Sequence, residues 1–242
     1  MGGILRRCPV LAAGLAWVLV LVGGATAVAA PATPVATPQP EVTALLAKAA
    51  ATMEAVTTYR FKLTYEEGTT TIYGRITIQK ADGEVQRPDR FKATVDAKLG
   101  PLTVGVAITS VGDQVWVEVA GVNSEVNINE DVARILFDPT AILIGALETI
   151  NQPVIVGEKQ IGGVTVTRVA GTVDPAQLVH DTTSSLVTNS ASLPVELAIA
   201  DDGHVVSLRL DGPLIRADSD DVVRRLDLSE FDQPVEIEPP GG

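Results

Sequence analysis

The sequence predicts an α+β protein: a long antiparallel sheet with a few helices gathered on one face of it. Three observations predict this. Apolar residues recur at every second position through most of the stretch from Tyr59 to Val119, and strand-like runs resume from Val154 onward. Short signals rich in glycine, proline and aspartate punctuate these runs, as they do between hairpin-linked strands with one dry and one wet face. Two segments switch to a helical period, one before the first strand and one midway along the chain. Strands in runs with helices inserted together suggest helices covering one side of a curved sheet.

The chain has 242 residues, and its first segment is set apart from the rest. Arg6 and Arg7 precede an apolar run from Pro9 to Val22, followed by small residues from Gly23 to Ala30. Charge, then grease, then small residues is the order of a secretory signal, and the run is shorter than the ~20 residues of a spanning helix. Ala25-Thr26-Ala27 and Ala27-Val28-Ala29 both fit a cleavage site, whereas Pro31 disfavours a cut after Ala30. Residues 1–29 are therefore expected to be a signal peptide or, if uncut, an N-terminal anchor. Residues 30–40 (with PATPVATPQP from Pro31) form a proline-rich linker, and residues 41–239 the folded domain. The single cysteine, Cys8, lies before the apolar run, so the mature part is expected to hold no disulfide and no thiol nucleophile. A lipoprotein carries its cysteine just after such a run, where this chain has alanines. The expectation is an exported protein of the envelope or the exterior that is not lipid-anchored.

The elements follow in order. Glu41 to Val56 reads as a helix with Leu45, Ala49, Thr52, Met53 and Val56 on one stripe. Tyr59, Phe61, Leu63 and Tyr65 then alternate with polar residues, as do Ile72 to Ile78, Phe91 to Leu99, Leu102 to Ile108 and Val115 to Val119. Turns are placed at Gly68, Ala81-Asp82-Gly83, Gly100-Pro101 and Gly112-Asp113. Glu130 to Phe137 and Thr140 to Ile150 read as helical pieces, with Asp138 as N-cap and Pro139 in the first helical position. The second piece, TAILIGALETI, is apolar nearly all round, so it is enclosed or faces something greasy. Strands resume at Val154 to Val156, Val164 to Val173, Val195 to Ala200 and Val205 to Asp211, the last two joined by an Asp201-Asp202-Gly203 hairpin turn. A short helix runs from Asp174-Pro175 to His180, and a last strand spans Val222 to Asp232.

Covalent chemistry finds no footing in this pattern. The formal charge of −12 repels nucleic acid and anionic headgroups alike, and cleavage of the signal would make it more negative. His180 and His204 are the only histidines, and His204 reads as a solvated loop residue. Asp218, Asp220 and Asp221 are the densest acidic cluster, but lack the glycine and closing glutamate of a calcium loop; a solvated loop before the last strand is expected. No nucleophile elbow and no phosphate-cradling loop occurs. Paired carboxylates for sugar hydrolysis are not excluded by spacing, yet Trp116 is the only tryptophan after the signal. No catalytic residue, metal ligand or cofactor is assigned. What remains is an apolar interior of Val, Ile, Leu and Ala, which suits a filled core and a lined cavity equally.

The order of these features resembles the LppX/LprAFG family of actinobacterial envelope proteins, which belongs with the LolA/LolB-like lipoprotein carriers. The resemblance is carried by Tyr59-Arg60-Phe61 after the leading helix, Val115-Trp116-Val117 and Phe137-Asp138-Pro139 before the apolar helix. It continues through Glu158-Lys159-Gln160-Ile161-Gly162-Gly163-Val164, Leu193-Pro194-Val195 and Leu226-Asp227-Leu228-Ser229-Glu230-Phe231. It implies a curved antiparallel half-barrel, LolA-like, with helices across its concave face. It also implies a carrier of lipid or glycolipid acyl chains, working as a monomer with transient membrane contact and a transporter or acceptor protein for handover. By position in the pattern, Val104, Val106, Ile108 and Val117 would form one wall of the cavity. Leu136, Ile142, Leu143 and Leu147 would form the other. The alternative is an envelope sensor or protein-interaction module on the same fold without lipid cargo; a solid core would favour it.

Overall fold

The computed structural model describes residues 40–72, 75–125, 139–178, 188 and 191–241. Along the chain run α1 (Pro40–Ala55), β1 (Thr58–Glu67), β2 (Thr70–Ile72), β3 (Ile76–Gln86), β4 (Arg90–Leu99), β5 (Leu102–Val111), β6 (Gln114–Val119) and β7 (Val122–Glu125). Then come α2 (Thr140–Thr149), β8 (Asn151–Ile161), β9 (Val164–Val173), α3 (Pro175–Leu178), β10 (Leu193–Ala200), β11 (Val205–Asp211) and β12 (Val223–Ser229). The strands form one twelve-stranded sheet in the order β7-β6-β5-β4-β3-β1-β12-β11-β10-β9-β8, with β2 on β3. It is an open, curved antiparallel sheet with helices across one face, as predicted.

Register decides which face is dry, because side chains alternate along each strand. Leu63 of β1 lies opposite Leu226 of β12 and Ala81 of β3. From Ala81 the row continues through Val95, Val106 and Val119. From Leu226 it continues through Leu208, Leu197, Val169 and Ile155. An unbroken aliphatic row thus crosses the sheet from β6 to β8. The alternate positions carry Lys62, Asp82, Glu84, Lys92 and Thr94, which face solvent on the other side.

Helix α1 buries Val42, Leu46, Ala49 and Met53, a stripe turned slightly from the expected one. Burying one such aliphatic side chain contributes about 1.5–3 kcal/mol, more than the helix propensity of any residue in α1. At its C-terminus, Arg87 Nη1 donates to the carbonyls of Met53 and Glu54, both at 3.0 Å, and of Val56 at 3.3 Å. A cation there satisfies carbonyls that have no helical partner and complements the helix dipole. Nearer the middle of α1, Lys48 donates to the Asp201 carbonyl of the β10–β11 turn. Gly203 in that turn has φ +103°, and a Cβ on it would meet Thr52 Oγ1, so the helix lies directly on the glycine.

Several expectations need correction. Ala81-Asp82-Gly83 is no turn: β3 runs straight through it, and the connection falls at Arg87-Pro88-Asp89. Gly83 is needed for space, since a Cβ there would lie 2.6 Å from the Phe61 ring. Ile72 and Ile76 belong to two strands, not one. Pro139 precedes α2 as its N-cap rather than opening it. β8 is much longer than Val154 to Val156, and β7 was not anticipated. Asp138 and the helix expected at Glu130 to Phe137 lie outside the described residues. Asp218 is not solvated: its side chain has no exposed surface. His204 is not a loose loop residue either, since its ring stacks on Phe231 with centroids 4.3 Å apart.

On the solvent face, Arg209 and Arg225 lie directly opposite each other on β11 and β12, where like charges repel. Glu66 joins them, accepting from Arg209 Nε at 2.8 Å and Arg225 Nε at 2.7 Å. Hydrogen bonding from Arg209, and after a smaller opposing effect of burial from Arg225, holds the Glu66 carboxyl below its ordinary 4.5. A depressed carboxyl contributes stability above the unfolded value and loses it as pH falls through the folded one. In urea titrations, Glu66→Gln is therefore expected to be less stable than the parent at neutral pH. The gap should shrink as pH drops from about 5 to 3; a constant gap would refute the linkage. Arg87→Met should cost about 1–2 kcal/mol through lost capping. That appears as a melting temperature lower by about 2–8 °C.

Candidate functional site: the cleft between sheet and apolar helix

The concave face of the sheet meets α2, and a narrow cleft of about 50 Å³ remains between them. Phe61, Leu63 and Tyr65 of β1, Leu208 and Leu210 of β11, and Leu226 and Arg224 of β12 line it from the sheet. Thr70, Ile215, Pro139 and Ile142 complete the lining. The β1–β12 register builds this floor: Phe61 faces Leu228, Leu63 faces Leu226, and Tyr65 faces Arg224. An engineered aliphatic cavity of about 150 Å³ holds one benzene, so the cleft as it stands admits the end of a chain rather than a whole one.

Helix α2 buries an apolar face. Leu143, Gly145, Ala146 and Leu147 are buried, and Tyr59 and Thr140 hydrogen-bond through their hydroxyls. Gly145 lies against the backbone of α3: a Cβ on it would stand 2.8 Å from the Leu178 carbonyl oxygen. Small residues therefore set how closely α2 approaches α3.

One end of the cleft is polar. The Tyr65 hydroxyl donates to Thr70 Oγ1 at 2.9 Å, and Thr70 donates to Asp218 Oδ1 at 2.6 Å. Asp218 Oδ2 accepts from the backbone N–H of Leu214 at 2.8 Å and of Ile215 at 2.9 Å. Arg224 Nη2 forms an ion pair with the same oxygen. Burial pushes the Tyr65 phenol up, with partial relief from the neighbouring Arg224 charge. Such a network inside a protein rigidifies its surroundings when satisfied. Among the described residues, no group of three or more His, Cys, Asp or Glu could hold a metal ion.

Ile108 is buried, and Val106 and Val117 are half-buried against the same core. Val104 is half-buried on the same face, opposite Ala97. Leu143 and Leu147 are enclosed, and Ile142 lines the cleft. Leu136 lies outside the described residues. The cleft itself is centred on β1, β11 and β12, away from β5 and β6. Sequence reasoning missed Phe61, Leu63, Tyr65, Leu208, Leu210, Ile215, Leu226 and the polar set Thr70, Asp218 and Arg224. The alternation in β1 marked three of them as inward, but nothing local announced that the first and last strands would pair.

Gly145→Ala separates two opposed effects. Helix propensity favours alanine by about 1 kcal/mol, whereas forcing a methyl into closed packing costs about 1–3 kcal/mol. A net loss of stability in thermal melting is expected; a gain would mean that α2 can lift from α3 at no cost.

A crystal structure of LprF from Mycobacterium bovis matches with a TM-score of 0.63 at 20% identity, covering 85% of this chain and 100% of that one. The lipoprotein LppX of Mycobacterium tuberculosis matches with a TM-score of 0.59 at 16% identity, covering 83% of this chain and 100% of that one. Identities this low speak for the fold alone. No curated protein matches the chain. The model of the LppX/LprAFG lipoproteins matches residues 41–237, from the start of α1 to the C-terminal tail. This chain belongs to the LppX/LprAFG lipoprotein family.

Proposed function

We propose that this protein is an exported lipid- or glycolipid-binding carrier, which holds acyl chains between the sheet and α2 and moves them across the cell envelope. The observation that supports this reading best is the unbroken aliphatic row from Val119 to Ile155, with Ile142 of the apolar helix α2 set over its middle at Leu63, Leu208 and Leu226. Each methylene moved from water onto such a surface contributes about 0.8 kcal/mol, so a chain of ordinary length supplies ample affinity with no covalent step. A chain would enter the cleft beneath Ile142 of α2, beside Leu143 and Leu147, and run on from there along the sheet over Val104, Val106, Ile108 and Val117. The cleft of about 50 Å³ is then the closed form, and loading requires α2 to move away from the sheet. Because that helix buries an apolar face, hydrocarbon replaces what its movement removes.

Cargo would be collected by transient contact with a membrane and passed to a transporter or acceptor protein. With Cys8 ahead of the apolar run and alanines behind it, the reading is of a family member that works without a lipid on cysteine. The small size of the cleft favours a second reading: an envelope module on the same fold that binds another protein and carries no lipid.

Native mass spectrometry of the chain purified without detergent distinguishes the two. The carrier reading expects a reproducible added mass, lost on organic extraction and matching a lipid. Ile142→Trp, which fills the cleft, should reduce that mass several-fold with unchanged circular dichroism. A clean apo mass that stays clean on incubation with phospholipid or glycolipid would overturn the carrier reading in favour of the protein-binding one.

A further inference from the structure

Among the described residues that line the cleft, Arg224 is the one that carries a charge. It stands on β12 between Tyr65 and Leu210, lines the cleft and has only 9% of its surface exposed. Its charge is compensated by Asp218, whose side chain is fully enclosed. Its hydrogen-bonding capacity is not. Nε and Nη2 are sealed from solvent and have no hydrogen-bond acceptor. Nη2 meets Asp218 Oδ2 as an ion pair without the geometry of a directed hydrogen bond, so the donor left wholly without a counterpart is Nε. A buried guanidinium donor without an acceptor is costly, and native proteins rarely leave one so.

We infer that Arg224 reads the polar end of an acyl ligand, donating to an uncharged carbonyl oxygen such as that of an ester in preference to a free carboxylate. The inference rests on the carrier reading above and adds to it the chemistry of the group that the chain bears. The Arg224–Asp218 pair is neutral as a unit. A carboxylate brought beside it would bury a net negative charge close to Asp218, which the low-dielectric cleft penalises. A carbonyl supplies the missing acceptor and adds no charge. An alkane supplies nothing, leaving the donors as they are. Sites built to hydrogen-bond a ligand group discriminate strongly against analogues without it.

The test is competitive binding of methyl palmitate, hexadecane and palmitate, offered together at neutral pH to the full chain and read by native mass spectrometry. The parent is expected to prefer the ester over the alkane about tenfold or more, and over palmitate as well. Asp218→Asn combined with Arg224→Met removes both charges, leaving an amide that can accept from Leu214 and Ile215 and donate to Thr70. This double variant should take ester and alkane equally. Arg224→Lys keeps the pair with Asp218 but has no Nε, and should lose most of the ester preference; it carries the test alone if the double variant does not fold. A preference for ester that survives in both variants, or a parent that favours palmitate, overturns the inference. Alkane binding with no ester preference overturns it while the carrier reading stands. Binding of none of the three removes both.

Discussion

The pairing of β1 with β12 is the contact on which the rest of the molecule depends. These are the first and last strands of the domain, and Phe61↔Leu228 and Leu63↔Leu226 join them across more than 160 residues of intervening chain. Without that ladder there would be two meanders, β1 with β3 to β7 and β8 to β12, each with an uncovered apolar face. With it the two faces become one concave surface, and a slip of one residue would turn Phe61 and Leu63 to solvent. Closing so long a loop is entropically costly but grows only slowly with length, and the aliphatic row on both sides offsets it.

That same register creates the cleft. The floor is built where the two meanders meet, so its residues come from β1, β11 and β12 rather than from neighbouring strands of one meander. The polar cluster at its end depends on the junction too. Tyr65 comes from β1, Thr70 from β2, Asp218 from the loop before β12, and Arg224 from β12 itself. The isolated bridge between Thr70 and Asp218 ties that loop to β2. One end of the cleft is therefore hydrogen-bonded and charged, while the other boundary, α2, presents apolar side chains such as Ile142.

The solvent face is organised differently. Arg209, Arg225 and Glu66 form a cluster across three strands, and Arg168 and Glu196 form a bidentate pair between β9 and β10. Exposed pairs of this kind contribute little each. They mark the outward positions of β1, β9, β10, β11 and β12 as ones that prefer water, although β9 and β10 also bury Val166, Ala198 and Ala200 on that side.

Much of this was legible in the sequence, and the parts that were not share a cause. The alternation within Tyr59–Tyr65, Phe91–Leu99 and Leu102–Ile108 identified strands and inward positions, because a period of two is a local property. TAILIGALETI declared a helix that needs an apolar surface, since no face of it suits water. Asp82-Gly83 misled, because glycine serves both turns and close packing, and only the Phe61 ring across the ladder reveals which. Asp218 misled in the same way: aspartates before a strand belong to water unless a cation such as Arg224 is brought beside them. The sequence by itself determined the types of most elements, the dry face of strands with a clear alternation such as β1 and β4, and the absence of a cysteine from the domain. The partner of each edge, the position of the cleft and the burial of Arg224 with Asp218 were decided by tertiary structure alone. They depend on which distant strands meet, and local periodicity carries no information about that.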